Sequence, residues 1–234
     1  MPTAKPTWAQ IKNHLHYGKW IYLLIALLSW FGYDLAYTMT EYRPPDNRKV
    51  DFQLVQTGSV DADRLGALAA RALEAGRIHD ATLELVEFMG LPYAGDPETD
   101  VYGAQVFTVK LQAREGDLWV LPRATFEQLQ PMGVFEPLDG YIARGLIRPN
   151  GADLKAFTLP APSDEVDADG APLAPNGEPG VYALPASLLP ALAQAGYRVE
   201  DACVALVGFS TNPDTAAAVL GWLIGQPLPD APTE

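Results

Sequence analysis

Leu111-Gln-Ala-Arg-Glu-Gly-Asp-Leu-Trp-Val-Leu121 decides the fold class. Its first three residues close an apolar-periodic stretch, its middle is charged and turns at Gly116-Asp117, and Leu118 to Leu121 is an unbroken apolar run. A polar break followed by such a run is the pattern of a strand buried on both faces, as in a parallel sheet. Helical spacing flanks it. Upstream, Pro97 and Glu98 open a helix through Tyr102, Val106, Val109 and Leu111 to Ala113; downstream, Arg123 to Leu129 is a helix that ends near Pro131 and Gly133.

Farther out the alternation continues. Val50 to Thr57 reads as a strand, Gly58 and Ser59 as a turn, and Asp61 to Glu74 as a helix. That helix carries Leu65, Leu68, Ala69, Ala72 and Leu73 on one face and is stopped by Gly76. Asp80 to Phe88 alternates as a second strand. On the carboxyl side, Gly180 to Leu184 is a strand and Ala186 to Gln194 a helix led by Pro185. Cys203 to Gly208 is another buried strand, with Cys203 as a small core hydrophobe. Ser210-Thr-Asn-Pro213 caps a last helix, Asp214 to Ile224. Strands separated by helices predict right-handed βαβ units and a parallel sheet covered on both faces, the α/β class. Between them, residues 160–180 are rich in Pro, Gly, Ala and acids and read as a surface hairpin, with Asp169-Gly170 and Asn176-Gly177 as turns. Glu165 to Gly170 has acids at alternate positions, but a calcium loop starts with Asp and ends with Glu at its twelfth position, where this chain has Glu165 and Asn176. No metal site is expected.

The amino terminus belongs to another class. Trp20 to Tyr33 is fourteen residues without a charge, and continuing to Met39 gives a helix of about 30 Å, enough to cross a bilayer. Residues 1–19 then form a cytoplasmic segment, 20–39 a transmembrane helix and 40–49 a linker stiffened by Pro44-Pro45. Lys12 and Lys19 precede the span and place the amino terminus in the cytoplasm. Residues 7–18 suit a short helix lying on the inner leaflet. A cleaved signal peptide is the competing reading, but Asp34-Leu-Ala-Tyr-Thr-Met39 is a poor small-x-small cleavage site; a buried soluble helix is the third. Asp34 has two readings. Within the span a carboxylate costs ~2.5–3.5 kcal/mol at the helix centre, which a partner transmembrane helix would relieve; at the outer boundary it is hydrated.

Composition narrows the function. Against 16 Lys+Arg stand 29 Asp+Glu, a net −13; residues 1–39 carry three lysines against Asp34, which leaves −15 for the rest. A surface that acidic repels phosphate backbones, so no nucleic acid is expected. Three His and one Cys are too few for a zinc cage, and no cofactor is implied. There is no Gly-x-Ser-x-Gly elbow, His-Glu-x-x-His or phosphate loop, and only His79 lies outside the cytoplasmic segment, in a polar turn. The expectation is a non-enzyme.

Four segments in order carry a resemblance: Leu111 to Leu121 with Thr125-Phe-Glu-Gln-Leu129, Gly133-Val-Phe-Glu-Pro-Leu-Asp139, Val181-Tyr-Ala-Leu-Pro185 after Asp169-Gly170, and Phe209-Ser-Thr-Asn-Pro-Asp-Thr-Ala-Ala-Ala-Val-Leu-Gly-Trp-Leu223. Together they resemble the extracellular solute-binding proteins of ABC transporters. The resemblance implies a periplasmic-binding-protein-like α/β domain over residues 50–234, a parallel or mixed sheet with flanking helices, preceded by one transmembrane helix. It implies a bacterial cell envelope, a small-molecule ligand and an ABC permease as partner. Members of that family are usually longer, with two lobes, and carry a lipid-modified Cys where this chain has an apolar helix. A reduced fold serving as a structural or interaction subunit of an envelope complex is therefore the alternative. A ligand cleft in such a sheet lies beyond the carboxyl ends of the strands, at a topological switch point. That selects Thr57, Gly58 and Ser59 after the first strand and Pro122, Arg123 and Thr125 after the third, with Tyr182 and Trp119 as aromatic platforms. Ser59 equally suits a helix cap, Arg123 a surface position and Trp119 the core.

Overall fold

The computed structural model describes residues 8–56, 60–93, 98, 100–163 and 177–226, with the backbone alone for 9–17. It divides into two compact units, residues 1–43 and 44–234. Among its described residues the first holds one helix, α1 (Trp8–Thr40), whose stretch Gly18–Thr40 is 23 residues long and apolar enough to cross a membrane. Its large side chains, Leu23, Leu27, Trp30 and Phe31 among them, are exposed. The segment expected as a short separate helix is helical from Trp8 but continuous with the span: α1 runs through Gly18-Lys19 without a break.

In the second unit the sheet is built outward from β1 (Lys49–Val55), buried along its length after Lys49. Val50, Phe52 and Leu54 face one core layer, and Val55 faces the other. Asp61 caps α2 (Ala62–His79) by accepting from the Arg64 N–H at 3.1 Å. Gly76 does not stop this helix. It is a packing position, where a Cβ would stand 2.5 Å from Leu83 Cδ2 and 2.9 Å from Val219 Cγ2. The helix ends instead at Asp80, whose carboxylate accepts from the Thr82 N–H (2.8 Å) and hydroxyl (2.7 Å). That turn uses residues expected in the second strand, so β2 is Leu85–Leu91. Asp100 caps α3 (Val101–Gln112), which starts later than expected; Pro97 lies outside the described residues.

The quoted stretch folds as read. Gly116 takes φ +89°, a left-handed conformation, and a Cβ there would sit 2.7 Å from Gln53 Cγ. Then β3 (Leu118–Pro122) pairs parallel to β1, with Phe52 opposite Leu118 and Leu54 opposite Val120, while β2 pairs parallel on β1's other side. α4 (Arg123–Leu129) follows, then the short α5 (Asp139–Ala143). β4 (Thr158–Pro160) and β5 (Pro179–Val181) form the antiparallel base of the hairpin; residues 164–176, which include Glu165–Gly170, lie outside the described residues. The expected strand 180–184 is thus divided, and β6 (Leu184–Pro185) joins the main sheet.

Strand direction also departs from expectation. After β6 come a 3-10 turn (Ala186–Leu188), α6 (Pro190–Gln194) and β7 (Ala202–Leu206), which pairs antiparallel to both β3 and β6. The sheet order is β2-β1-β3-β7-β6, and β7 is the one reversed strand, so the sheet is mixed rather than parallel. The reason is length: a five-residue helix rises only about 7.5 Å and cannot carry the chain back across the sheet, so β7 starts at the edge where β6 ends. α7 (Pro213–Leu223) packs on α2 and one sheet face through Ala216, Val219 and Leu220. The other face is aromatic, with Phe107 edge-on to Trp119 at 5.3 Å and Phe126 against Phe135 at 5.2 Å. Helices therefore cover both faces, and Cys203 is fully buried, its thiol pushed up to about 12 by burial.

Candidate functional site

β1 is followed by β2 on one side, and the chain then crosses to place β3 on the other. The carboxyl ends of β1 and β3 therefore flank a switch point, where neighbouring connections leave in opposite directions and a crevice opens. A hollow of about 260 Å³ lies there. Val55 and Gln56 end β1, Tyr93 follows β2 and Pro122 ends β3; Tyr197, Arg198, Glu200 and Asp201 come from the loop before β7.

The floor is held by hydrogen bonds. The buried Tyr197 hydroxyl stands 2.9 Å from the Val55 carbonyl and 3.0 Å from that of Val120, tying the loop to β1 and β3. Burial raises its pKa, so it stays a neutral donor. The Gln56 side-chain carbonyl accepts from the Arg198 N–H at 3.0 Å, and the Gln56 N–H donates to Leu91. Asp201 takes φ +53°, and its carbonyl accepts from the Arg123 N–H at 2.7 Å. Above this floor the rim is charged and exposed: Arg198, Glu200 and Asp201. The Arg198 guanidinium makes no hydrogen bond or ion pair among the described residues, so its donors remain available for an anionic or hydroxylated group.

Of the residues singled out from sequence, Pro122 lines the hollow. Thr57, Gly58 and Ser59 lie outside the described residues, directly after Gln56. Arg123 points elsewhere, paired to Glu127 at 2.7 Å with its guanidinium over the Phe157 ring. Thr125 is buried in α4, and Tyr182 is 3% exposed within the aromatic layer. Trp119 is likewise core, donating to the Glu115 carbonyl at 3.1 Å. Sequence reasoning missed Tyr197, Arg198, Glu200 and Asp201. An all-parallel sheet puts the loop before a strand at the opposite edge; the reversal of β7 brings that loop to the carboxyl side. Gly196-Tyr-Arg-Val-Glu-Asp201, a polar turn just before an apolar strand, was the available signal.

At the other edge of the sheet sits an acidic network around the buried Asp51 and Asp117. Asp117 accepts from the Asp51 N–H (2.9 Å) and the Ser210 hydroxyl (2.6 Å), and Lys49 bridges Asp51 (2.8 Å) and Asp46 (3.1 Å). Ser210 thus binds Asp117 rather than capping α7, whose preceding residue Asn212 makes no side-chain cap. Burial pushes the Asp117 carboxyl up to about 6, against the two hydrogen bonds that lower it. Burial opposes the Lys49 charge, but Asp51 and Asp46 outweigh it and hold its pKa above the ordinary lysine value. Hydrogen bonding between β1, β3 and the segment before α7 makes this network a structural clasp. Among the described residues no three His, Cys, Asp or Glu side chains converge as a metal site.

No protein-family model matches this chain, and no curated protein does. The site itself therefore carries the functional reading.

Proposed function

We propose that this chain is a membrane-anchored, extracytoplasmic binding module built on a reduced solute-binding-like fold, and that it captures a small ligand at the carboxyl edge of β1 and β3 for an ABC permease. The observation that carries the reading is the hollow at the switch point, with a floor of fixed hydrogen bonds and at its rim Arg198, whose guanidinium has no partner among the described residues. Its volume lies just below the ~300–1,000 Å³ of drug-sized pockets and suits a compact solute. α1 is the anchor, with the cytoplasmic end marked by Lys12 and Lys19 and the domain outside. The chain contributes binding and no chemistry of its own.

A thermal-shift screen of the full chain in detergent micelles tests this, against sugars, oligosaccharides, amino acids, peptides and polyamines. A ligand at 100 times its Kd stabilises the folded domain by ~2.7 kcal/mol, a clear rise in the midpoint. A cooperative transition that no compound moves would count against it.

One observation favours the second reading, a non-catalytic interaction subunit of an envelope complex. Val101, Tyr102 and Val109 on α3 are 59–72% exposed, an apolar stripe beside Ala104 and Thr108. In that reading Val109→Glu releases the chain from its complex and leaves the unfolding midpoint unchanged.

A further inference from the structure

Two polar groups inside the Gly18–Thr40 span share one helix face, one turn apart: the Trp30 indole N–H and the Asp34 carboxylate. Neither side chain makes a hydrogen bond or ion pair among the described residues. By contrast, the Thr38 and Thr40 hydroxyls donate to the Asp34 and Ala36 carbonyls at 2.9 and 2.7 Å, as hydroxyls do in a helix surrounded by hydrocarbon. At ~1.5 Å per residue, Asp34 lies about 9 Å and Trp30 about 15 Å from the Thr40 end. A ~30 Å hydrocarbon layer centred on this span covers Asp34 by roughly 7 Å. Long lysine and arginine side chains reach the interface from such depth, whereas an aspartate is too short. Tyr37, one turn beyond Asp34, completes a face of aromatic, acid, aromatic.

A second copy of the chain does not supply what this face lacks. Parallel copies set Asp34 against Asp34, and in an antiparallel pair aligned end to end Asp34 meets Leu24. Lys19, the other charge of the span, stands at its far end.

We infer that the Trp30–Asp34–Tyr37 face of α1 docks a transmembrane helix of another membrane protein that carries an arginine or lysine at the depth of Asp34. The carboxylate pairs with the cation, and the Trp30 and Tyr37 rings lie against it from either side as cation–π partners. This rests on the reading of α1 as a retained membrane span.

The experiment reconstitutes the full-length chain in phosphatidylcholine vesicles. Energy transfer then reports its association with a synthetic 23-residue polyleucine helix bearing one arginine six residues from its end. Association at least tenfold tighter than with the all-leucine helix, lost in Asp34→Leu and recovered when Asp34→Arg is offered a glutamate-bearing helix, supports the inference. Equal association with arginine and leucine helices overturns it, as does self-association of the chain that competes with the arginine helix. Carbonate extraction of the same vesicles separates the two readings. A chain that washes off overturns the anchor and the inference together; a chain that stays inserted without preferring arginine overturns the inference alone.

Discussion

Asp117 is a carboxylate 6% exposed between two hydrogen-bond donors, with Asp51 beside it and Lys49 beyond. Its pKa rises from an ordinary 3.8 to about 6, so between these two values the folded state holds a proton that the unfolded chain has released. Stability from this group is full below pH ~4 and is lost as pH rises through 6, a change of about 3 kcal/mol. The thermal midpoint is therefore expected to rise as pH falls from 7 to 5. Asp117→Asn can accept from the Asp51 N–H and donate to Ser210, so it should flatten that slope; an unchanged slope would remove Asp117 as its source. Asp80 and Asp214, held below the carboxylate range by Thr82 and Arg144, contribute with the opposite sign and only below that window. Tyr197 is the counterpart at the other edge. Tyr197→Phe leaves the Val55 and Val120 carbonyls without their hydroxyl and should cost about 1–2 kcal/mol, measured by urea unfolding.

At the scale of elements, α2 contains two glycines with opposite expectations. Gly66 is exposed with nothing within 4 Å of a Cβ, so Gly66→Ala should stabilise by about 0.5–1 kcal/mol. Gly76 meets Leu83 and Val219, so Gly76→Ala should cost about 1–3 kcal/mol through overpacking. Chemical denaturation of the pair checks both signs. Gly76 also shows where sequence reading ends: a glycine that stops a helix and one that admits a neighbour are the same letter. The stretch from Leu111 to Leu121 was legible because local chemistry decides it, with Gly116 in the left-handed region and four apolar residues buried on both faces. α4 is legible from its own local pattern, and α7 from Pro213 at its first turn rather than from the Ser210 cap. The start of β2 was not, because the Asp80–Thr82 turn competes with extension, and strand direction at β7 was not, because it depends on the length of α6. The site follows from that difference: Pro122 ends a parallel strand and is legible, whereas Tyr197 and Arg198 precede a reversed one and are not.

For the whole molecule, α1 and the α/β unit differ in what they expose. From Gly18 to Thr40 the helix exposes its large apolar side chains, while the described part of the domain buries most of its apolar residues in two layers, and residues 40–234 carry a net charge of −15. Under the proposed anchored-module reading the ligand site is the hollow beyond β1 and β3. The most direct test titrates the full chain calorimetrically with the same solute panel, wild type beside Arg198→Ala. Saturable heat from one solute class, weakened at least tenfold in the variant with the unfolding midpoint unchanged, is the predicted result. No saturable heat from any class, or binding that Arg198→Ala leaves untouched, would contradict a ligand site at this edge.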